Sequence, residues 1–135
     1  MKELKIEART ENLPDVLGFV DALLEERECK MKPQMQLDVA VEEIFVNIAH
    51  YAYTTGVGEA RIQVDFEGDP LSVVITFIDS GTPYDPLAKE DPDVTLSAAE
   101  RQIGGLGIYM VKKSMDEVLY RHEDGCNIFT IKKKI

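Results

Sequence analysis

The chain has 135 residues, room for one domain and too few for two. Lysine and arginine number 15 against 25 aspartates and glutamates, a formal net charge of −10 at pH 7 that excludes an overall grip on nucleic acid, because the polyanion would be repelled. At 44% hydrophobic and 30% charged the composition is that of an ordinary globular protein, so the chain can bury a core, need not be disordered and should fold alone.

Leu4, Ile6 and Ala8 alternate with Lys5 and Glu7, which predicts a first strand half-buried against a core. Asn12 offers a helix start, Pro14 is tolerated in the first turn, and Val16, Leu17, Val20, Leu23 and Leu24 trace an apolar stripe to about Arg27. Lys32-Pro33 breaks the pattern. Leu37, Val41, Ile44, Ile48 and Ala52 then recur at three or four residues through Tyr53, the longest helix, ended by Gly56 and Gly58. Arg61 to Glu67 alternates around Ile62, Val64 and Phe66, and Gly68-Asp69-Pro70 turns the chain into Leu71 to Asp79, a β-hairpin. The run Val73, Val74, Ile75, Phe77 and Ile78 predicts a central strand covered on at least one face and crowded on both. From Ser80 to Gly107 periodicity is lost among prolines and acidic residues, and a loop of that length inside a small domain points to function. Gly107 leads into a short helix carrying Ile108, Tyr109, Val111 and Met115. Strands near Val118 to Arg121 and Asn127 to Lys132 flank an Asp124-Gly125 turn.

Cys29 and Cys126 are far apart and lack metal-ligand spacing, which argues against a disulfide scaffold or a zinc site. Met1-Lys2-Glu3-Leu4-Lys5 has no apolar signal core, and no run approaches the roughly 20 apolar residues that span a bilayer. The expectation is a reducing cytoplasm. His50 and His122 read as surface or structural histidines, Lys132-Lys133-Lys134 as a solvated strand end, and Met31, Met35, Met110 and Met115 as packing or partner-contact residues.

Three segments carry chemistry. Glu43 and Asn47, four residues apart, project from one helical face, whereas Glu42 points about 100° away. An amide oxygen is a suitable hard ligand for magnesium, and a carboxylate one turn away would polarise an attacking hydroxyl or water. The same pair would also serve as a solvated face. Asp79 stands at a strand exit before Ser80-Gly81-Thr82-Pro83-Tyr84-Asp85-Pro86, where its carboxylate would accept from an exocyclic amine such as adenine's and Gly81 would let the backbone approach a flat ring. The alternative is an ordinary turn. Gly104-Gly105-Leu106-Gly107 opens a helix whose first amides would hold phosphate, or else forms a hinge. It is neither a Walker loop, lacking the Lys-Ser/Thr, nor a dinucleotide fingerprint, since Met110 stands where the third glycine belongs.

Taken in order, Glu43-Ile44-Phe45-Val46-Asn47, Asp79-Ser80-Gly81-Thr82-Pro83-Tyr84-Asp85-Pro86 and Gly104-Gly105-Leu106-Gly107-Ile108-Tyr109 resemble the N, G1 and G2 boxes of the GHKL ATPases, over nearly the whole chain. The Asp-x-Gly-x-Pro-Tyr-Asp-Pro form and the single-domain length resemble the bacterial anti-sigma-factor serine kinases within that superfamily. The resemblance implies one α+β domain over residues 1–135, a two-layer sandwich with helices on one face of a mixed, mostly antiparallel sheet. ATP would lie between the long helix and a lid at about Leu87 to Ile103. By the same resemblance Glu43 would be the catalytic base, Asn47 the magnesium ligand, Asp79 the adenine acceptor, Gly81 the ring-packing glycine, and Gly105 with Gly107 the phosphate turn. Three positions depart from the family pattern: Tyr51 replaces the histidine common four residues after the asparagine, Cys126 replaces a common threonine, and Arg101 is off the spacing from the glycines that relatives keep for the basic lid residue meeting the terminal phosphate.

The implied function is an ATP-dependent serine-protein kinase that phosphorylates an anti-sigma-factor antagonist and sequesters an RNA-polymerase sigma factor. Homodimerisation is implied as well, with no direct contact to nucleic acid or membrane. The competing reading is a non-catalytic switch, in which ATP orders the lid and changes partner affinity without chemistry. The acidic balance suits a basic partner face.

Overall fold

A computed structural model describes residues 1–88 and 106–135. Alternating segments form β1 (Lys2–Glu7), β2 (Glu59–Glu67), β3 (Ser72–Asp79), β4 (Glu117–Glu123) and β5 (Cys126–Lys134). The three-to-four-spaced segments form α1 (Leu13–Glu26), α2 (Met31–Asn47) and α3 (Leu106–Ser114). The strands make one sheet in the order β1-β2-β3-β5-β4, so the apolar β3 is central. The expected mixed sheet narrows to one in which every described pairing is antiparallel. Its cause is local: β2–β3 and β4–β5 are hairpins, closed by Gly68 at φ +83° and by Asp124-Gly125 at φ +53° and +77°. Positive φ at both residues of the second turn matches the right-handed twist of the strands it joins.

One face of the sheet carries the core. Val73, Ile75 and Phe77 of β3, Ile62 and Val64 of β2, and Phe129 and Ile131 of β5 are buried against Val16, Val20 and Leu24 of α1 and Leu37, Val41 and Phe45 of α2. Each such side chain contributes about 1.5–3 kcal/mol relative to exposure. The opposite face is only half covered, since Val74 and Thr76 are intermediate in exposure and Leu119 is 61% exposed. The expectation that β3 is crowded on both faces therefore holds for one face and for Ile78, not for the whole strand.

Several boundaries move for identifiable reasons. Asn12 precedes α1 but its side chain donates back to Glu7 O at 3.0 Å instead of capping the helix. Pro33 does not break a helix. It sits in the first turn of α2, where the N–H it lacks has no intrahelical partner anyway. At the other end α2 continues as a π-helical turn, Ile48–Ala52, and stops there, so Gly56 and Gly58 lie beyond it. Gly58 instead supports Tyr53, whose ring occupies the place of a glycine Cβ and whose hydroxyl donates to Glu59 O at 2.6 Å. The basic end is not merely solvated: Lys132 pairs with Glu67 at 2.9 Å, and Lys133 Nζ donates to Ser114 O at the end of α3, where a cation opposes the negative end of the helix dipole. Of the methionines, Met115 is buried while Met31, Met35 and Met110 are exposed.

Between α1 and α2 lies an acidic seam that the sequence pattern does not reveal. Asp38 Oδ1 is buried without a hydrogen-bond partner among the described residues. Burial first, then hydrogen bonding to Asp21 and the charges of Asp21 and Glu25, push the Asp38 carboxyl up to about 7. Burial, with Asp38 and Asp21, also raises the Cys29 thiol. Because the folded-state value lies above the unfolded value of about 3.9, the protonated form favours folding. Its contribution is complete below about pH 4 and is lost as pH rises through about 7. Asp38→Asn is expected to stabilise the fold at pH 8 by on the order of 1 kcal/mol, a value limited by solvent screening, and to change little at pH 4. Urea unfolding at both pH values checks this, and an equal effect at both would contradict it.

Candidate functional site

The contact that creates the site is made by backbone. Ala52, closing the π-helical turn of α2, presents its carbonyl to the turn that follows β3, and Thr82 N donates to it at 2.7 Å. Gly81 lies so close that a Cβ there would stand 2.1 Å from Ala52 O. A glycine is therefore required by the packing of the turn on the helix end. That packing gives Gly81 a structural reason beside the one read from the sequence, approach to a flat ligand ring.

A cleft lies between α2, α3 and the ends of β3, β4 and β5, an open depression with about 470 Å³ of empty space that includes open solvent. Ile44, Ile48, Ile108 and Phe129 supply apolar wall, and Tyr51, Tyr84 and Tyr120 supply rings. Asn47 and Asp79 both line it, one from the helix layer and one from the sheet. An apolar slot with a carboxylate and a carboxamide on its walls suits a flat, partly polar ligand such as a purine.

Each polar group is held in place. Asn47 Nδ2 donates to Glu43 Oε1 at 3.2 Å, confirming that the two share one helical face, and its amide oxygen has no protein partner among the described residues. Glu43 reaches α3, where a Cβ on Gly107 would lie 2.1 Å from its carboxyl carbon. Glu42 is exposed, as its angular position predicts. Asp79 is 6% exposed at the end of the central strand, and its Oδ1 accepts from Gly81 N and from Asn127 Nδ2, each at 2.9 Å. Burial raises the Tyr120 phenol, the backbone at Tyr84 acting in the opposite sense, so the hydroxyl remains a donor.

The structure thus brings Asn47 and Asp79 to one cleft, with Glu43 and Gly107 against each other beside Asn47 and with Gly81 N bonded to Asp79. Gly105 and most of the expected lid, Leu87 to Ile103, fall outside the described residues. Of that lid, Leu87 lies in a 3-10 turn, Pro86–Ala88, with its N–H held by Asp85 Oδ1 at 2.8 Å. Tyr51 is 62% exposed at the cleft, its ring edge-on to His50. Cys126 faces Ser80, Oγ to Sγ 3.6 Å, and does not line the cleft. The residue that sequence reasoning missed is Asn127, which does. Its only sequence signal is a polar residue at an inward position of a strand, visible once β5 is in register with β3.

A helix layer on one face of an antiparallel sheet, with an asparagine and an aspartate lining a cleft between the layers, defines a two-layer α+β domain with polar groups on its cleft walls. Residues 6–133 match the histidine kinase-like ATPase domain, and the chain belongs to that family. It is 26% identical over 129 residues to the serine/threonine-protein kinase BtrW of Bordetella bronchiseptica, covering 96% of this chain and 89% of that one. It is 27% identical over 100 residues to a serine-protein kinase RsbW of Bacillus cereus, covering 71% of this chain and 61% of that one, and 23% identical over 134 residues to the Bacillus mycoides RsbW, 96% and 82%. Among solved structures, the RsbU and RsbW domains of a Mycobacterium tuberculosis protein share the fold at a TM-score of 0.65 and 17% identity. That match covers 99% of this chain and 32% of the other.

The two glycines make opposite predictions. Gly81→Ala drives a methyl into backbone and is expected to destabilise by about 1–3 kcal/mol, read as a fall of several degrees in Tm. The three atoms nearest an added Cβ at Gly107 all belong to the Glu43 carboxyl, the end of a side chain that can swing aside, so in Gly107→Ala Tm should hold while Glu43 is displaced. Thermal unfolding of both variants checks the contrast, and equal losses would refute it.

Proposed function

We propose that the chain is an ATP-dependent serine-protein kinase that transfers the γ-phosphoryl group to a serine of a small partner protein. What supports this is that Asn47 and Asp79 line a single cleft while Glu43 lies against both Asn47 and Gly107. In this reading Asp79 accepts from the exocyclic amine of the base, the apolar wall covers the ring, and the Asn47 amide oxygen faces the phosphates. The start of α3 at Gly107 supplies N–H groups toward the same anionic end. Magnesium fits the unpartnered Asn47 oxygen, and when bound it would offset charge on the phosphates.

Glu43 is the group that acts on the acceptor. One oxygen is held by Asn47, which leaves the other to receive the proton of the incoming serine hydroxyl and to orient its oxygen for in-line attack. Positioning and electrostatics carry most of such a transfer, so the carboxylate needs no unusual acidity. The names of the relatives, all protein kinases, support the reaction class. The wider role, sequestration of an RNA-polymerase sigma factor by a chain that phosphorylates the antagonist of that sequestration, is the one implied by the resemblance of the three motif boxes. The cytoplasm and homodimer formation go with it. Among the described residues no helix is long and apolar enough to cross a membrane.

Glu43→Ala is expected to leave ATP binding intact while phosphate incorporation into partner serine falls by about a hundredfold or more. Labelled-ATP transfer run beside calorimetric ATP titration tests this. Unchanged transfer by the variant would remove Glu43 from the mechanism, and wild-type ATP binding with no labelled serine would leave a nucleotide switch in place of a kinase.

A further inference from the structure

Asn127 is 6% exposed and pairs with Asp79 across the β3–β5 register. A primary amide offers two N–H donors and two acceptor lone pairs. Here all four are taken. Nδ2 donates to Asp79 Oδ1 at 2.9 Å and to Thr82 O at 3.0 Å, and Oδ1 accepts from Tyr84 N at 3.2 Å and from the Tyr120 hydroxyl. Three pieces of the cleft wall, the exit of β3, the 82–84 turn and β4, are joined at this one side chain. A saturated amide has nothing left for a ligand, so any influence on the cleft passes through the groups it holds.

We propose that Asn127 is the positioning residue behind the cleft's preference for an adenine edge: Asp79 supplies the acceptor, and Asn127, by occupying Oδ1, holds the carboxylate so that Oδ2 is left to the base. The inference rests on the nucleotide reading above. With Gly81 N and Asn127 Nδ2 both on Oδ1, the remaining oxygen is an acceptor. An adenine amine satisfies it. A guanine carbonyl at the same place opposes it, acceptor to acceptor. Without the amide, Oδ1 is held by Gly81 N alone and the carboxylate is less firmly oriented toward the amine, and the 82–84 turn loses both its anchors on Asn127.

The test compares ATP and GTP affinity by calorimetry in the wild type, Asn127→Ala and Tyr120→Phe, with amide exchange at Gly81 followed in the ligand-free proteins. The wild type should prefer ATP. Asn127→Ala should lose about tenfold in ATP affinity, the scale of a hydrogen bond to a charged group, with GTP little changed and Gly81 exchange accelerated. Tyr120→Phe, which removes one support without touching Asp79, should shift the ATP-to-GTP ratio in the same direction by less, and serves if Asn127→Ala does not fold. An unchanged ratio together with unchanged Gly81 exchange would overturn the positioning role. A wild type that binds neither nucleotide, with Gly81 exchange still dependent on Asn127, would overturn the nucleotide reading and the base-edge assignment while upholding the hub.

Discussion

The hydrogen bond from Thr82 N to Ala52 O, with Gly81 seated against the same carbonyl, fastens the end of the long helix to the exit of the central strand. The Ala52 carbonyl closes a π-helical turn at the C-terminal end of a helix, where carbonyls lack intrahelical partners and need a donor from elsewhere. Once that donor comes from the turn after β3, Asn47, a little over one turn earlier in the chain, and Asp79, three residues before Thr82, must lie near each other. The cleft follows from this fastening together with the apolar layer beneath it.

Around that point the division of labour is physical. The core under α1 and α2 supplies stability, and the residues of the cleft accept costs that a pure core would avoid. Asp79 and Asn127 are both about 6% exposed, and the buried pair persists because the Asn127 amide is fully bonded and Asp79 Oδ1 accepts two hydrogen bonds. Among the described side chains the fully buried oxygen without a partner is Asp38 Oδ1, and burial together with Asp21 and Glu25 pushes that carboxyl up to about 7. It sits in the α1–α2 seam, away from the cleft, and makes stability depend on pH near neutrality.

Much of this was legible in the sequence. The alternation of Ile62, Val64 and Phe66 and the Gly68-Asp69-Pro70 turn read directly as a hairpin, and the four-residue spacing of Glu43 and Asn47 read as one helical face, now seen as a 3.2 Å hydrogen bond. Three features were not legible, each because it is set by contacts distant along the chain. Pro33 looked like a break because its tolerance depends on lying in the first turn of α2. The packing role of Gly81 was hidden because its neighbour Ala52 is far off in sequence. Asn127 looked like any polar residue after a turn because only the pairing of β5 with β3 sets it opposite Asp79.

Membership of the histidine kinase-like ATPase family gives the cleft a family setting, and the named residues give it a chemistry that can be tested one atom at a time. The most direct test of the central claim is a crystal structure of the protein with magnesium and a non-hydrolysable ATP analogue. The account predicts one nucleotide in the cleft, its exocyclic amine against Asp79 and its phosphates beside Asn47. A nucleotide seated elsewhere, or a base turned away from Asp79, would contradict it.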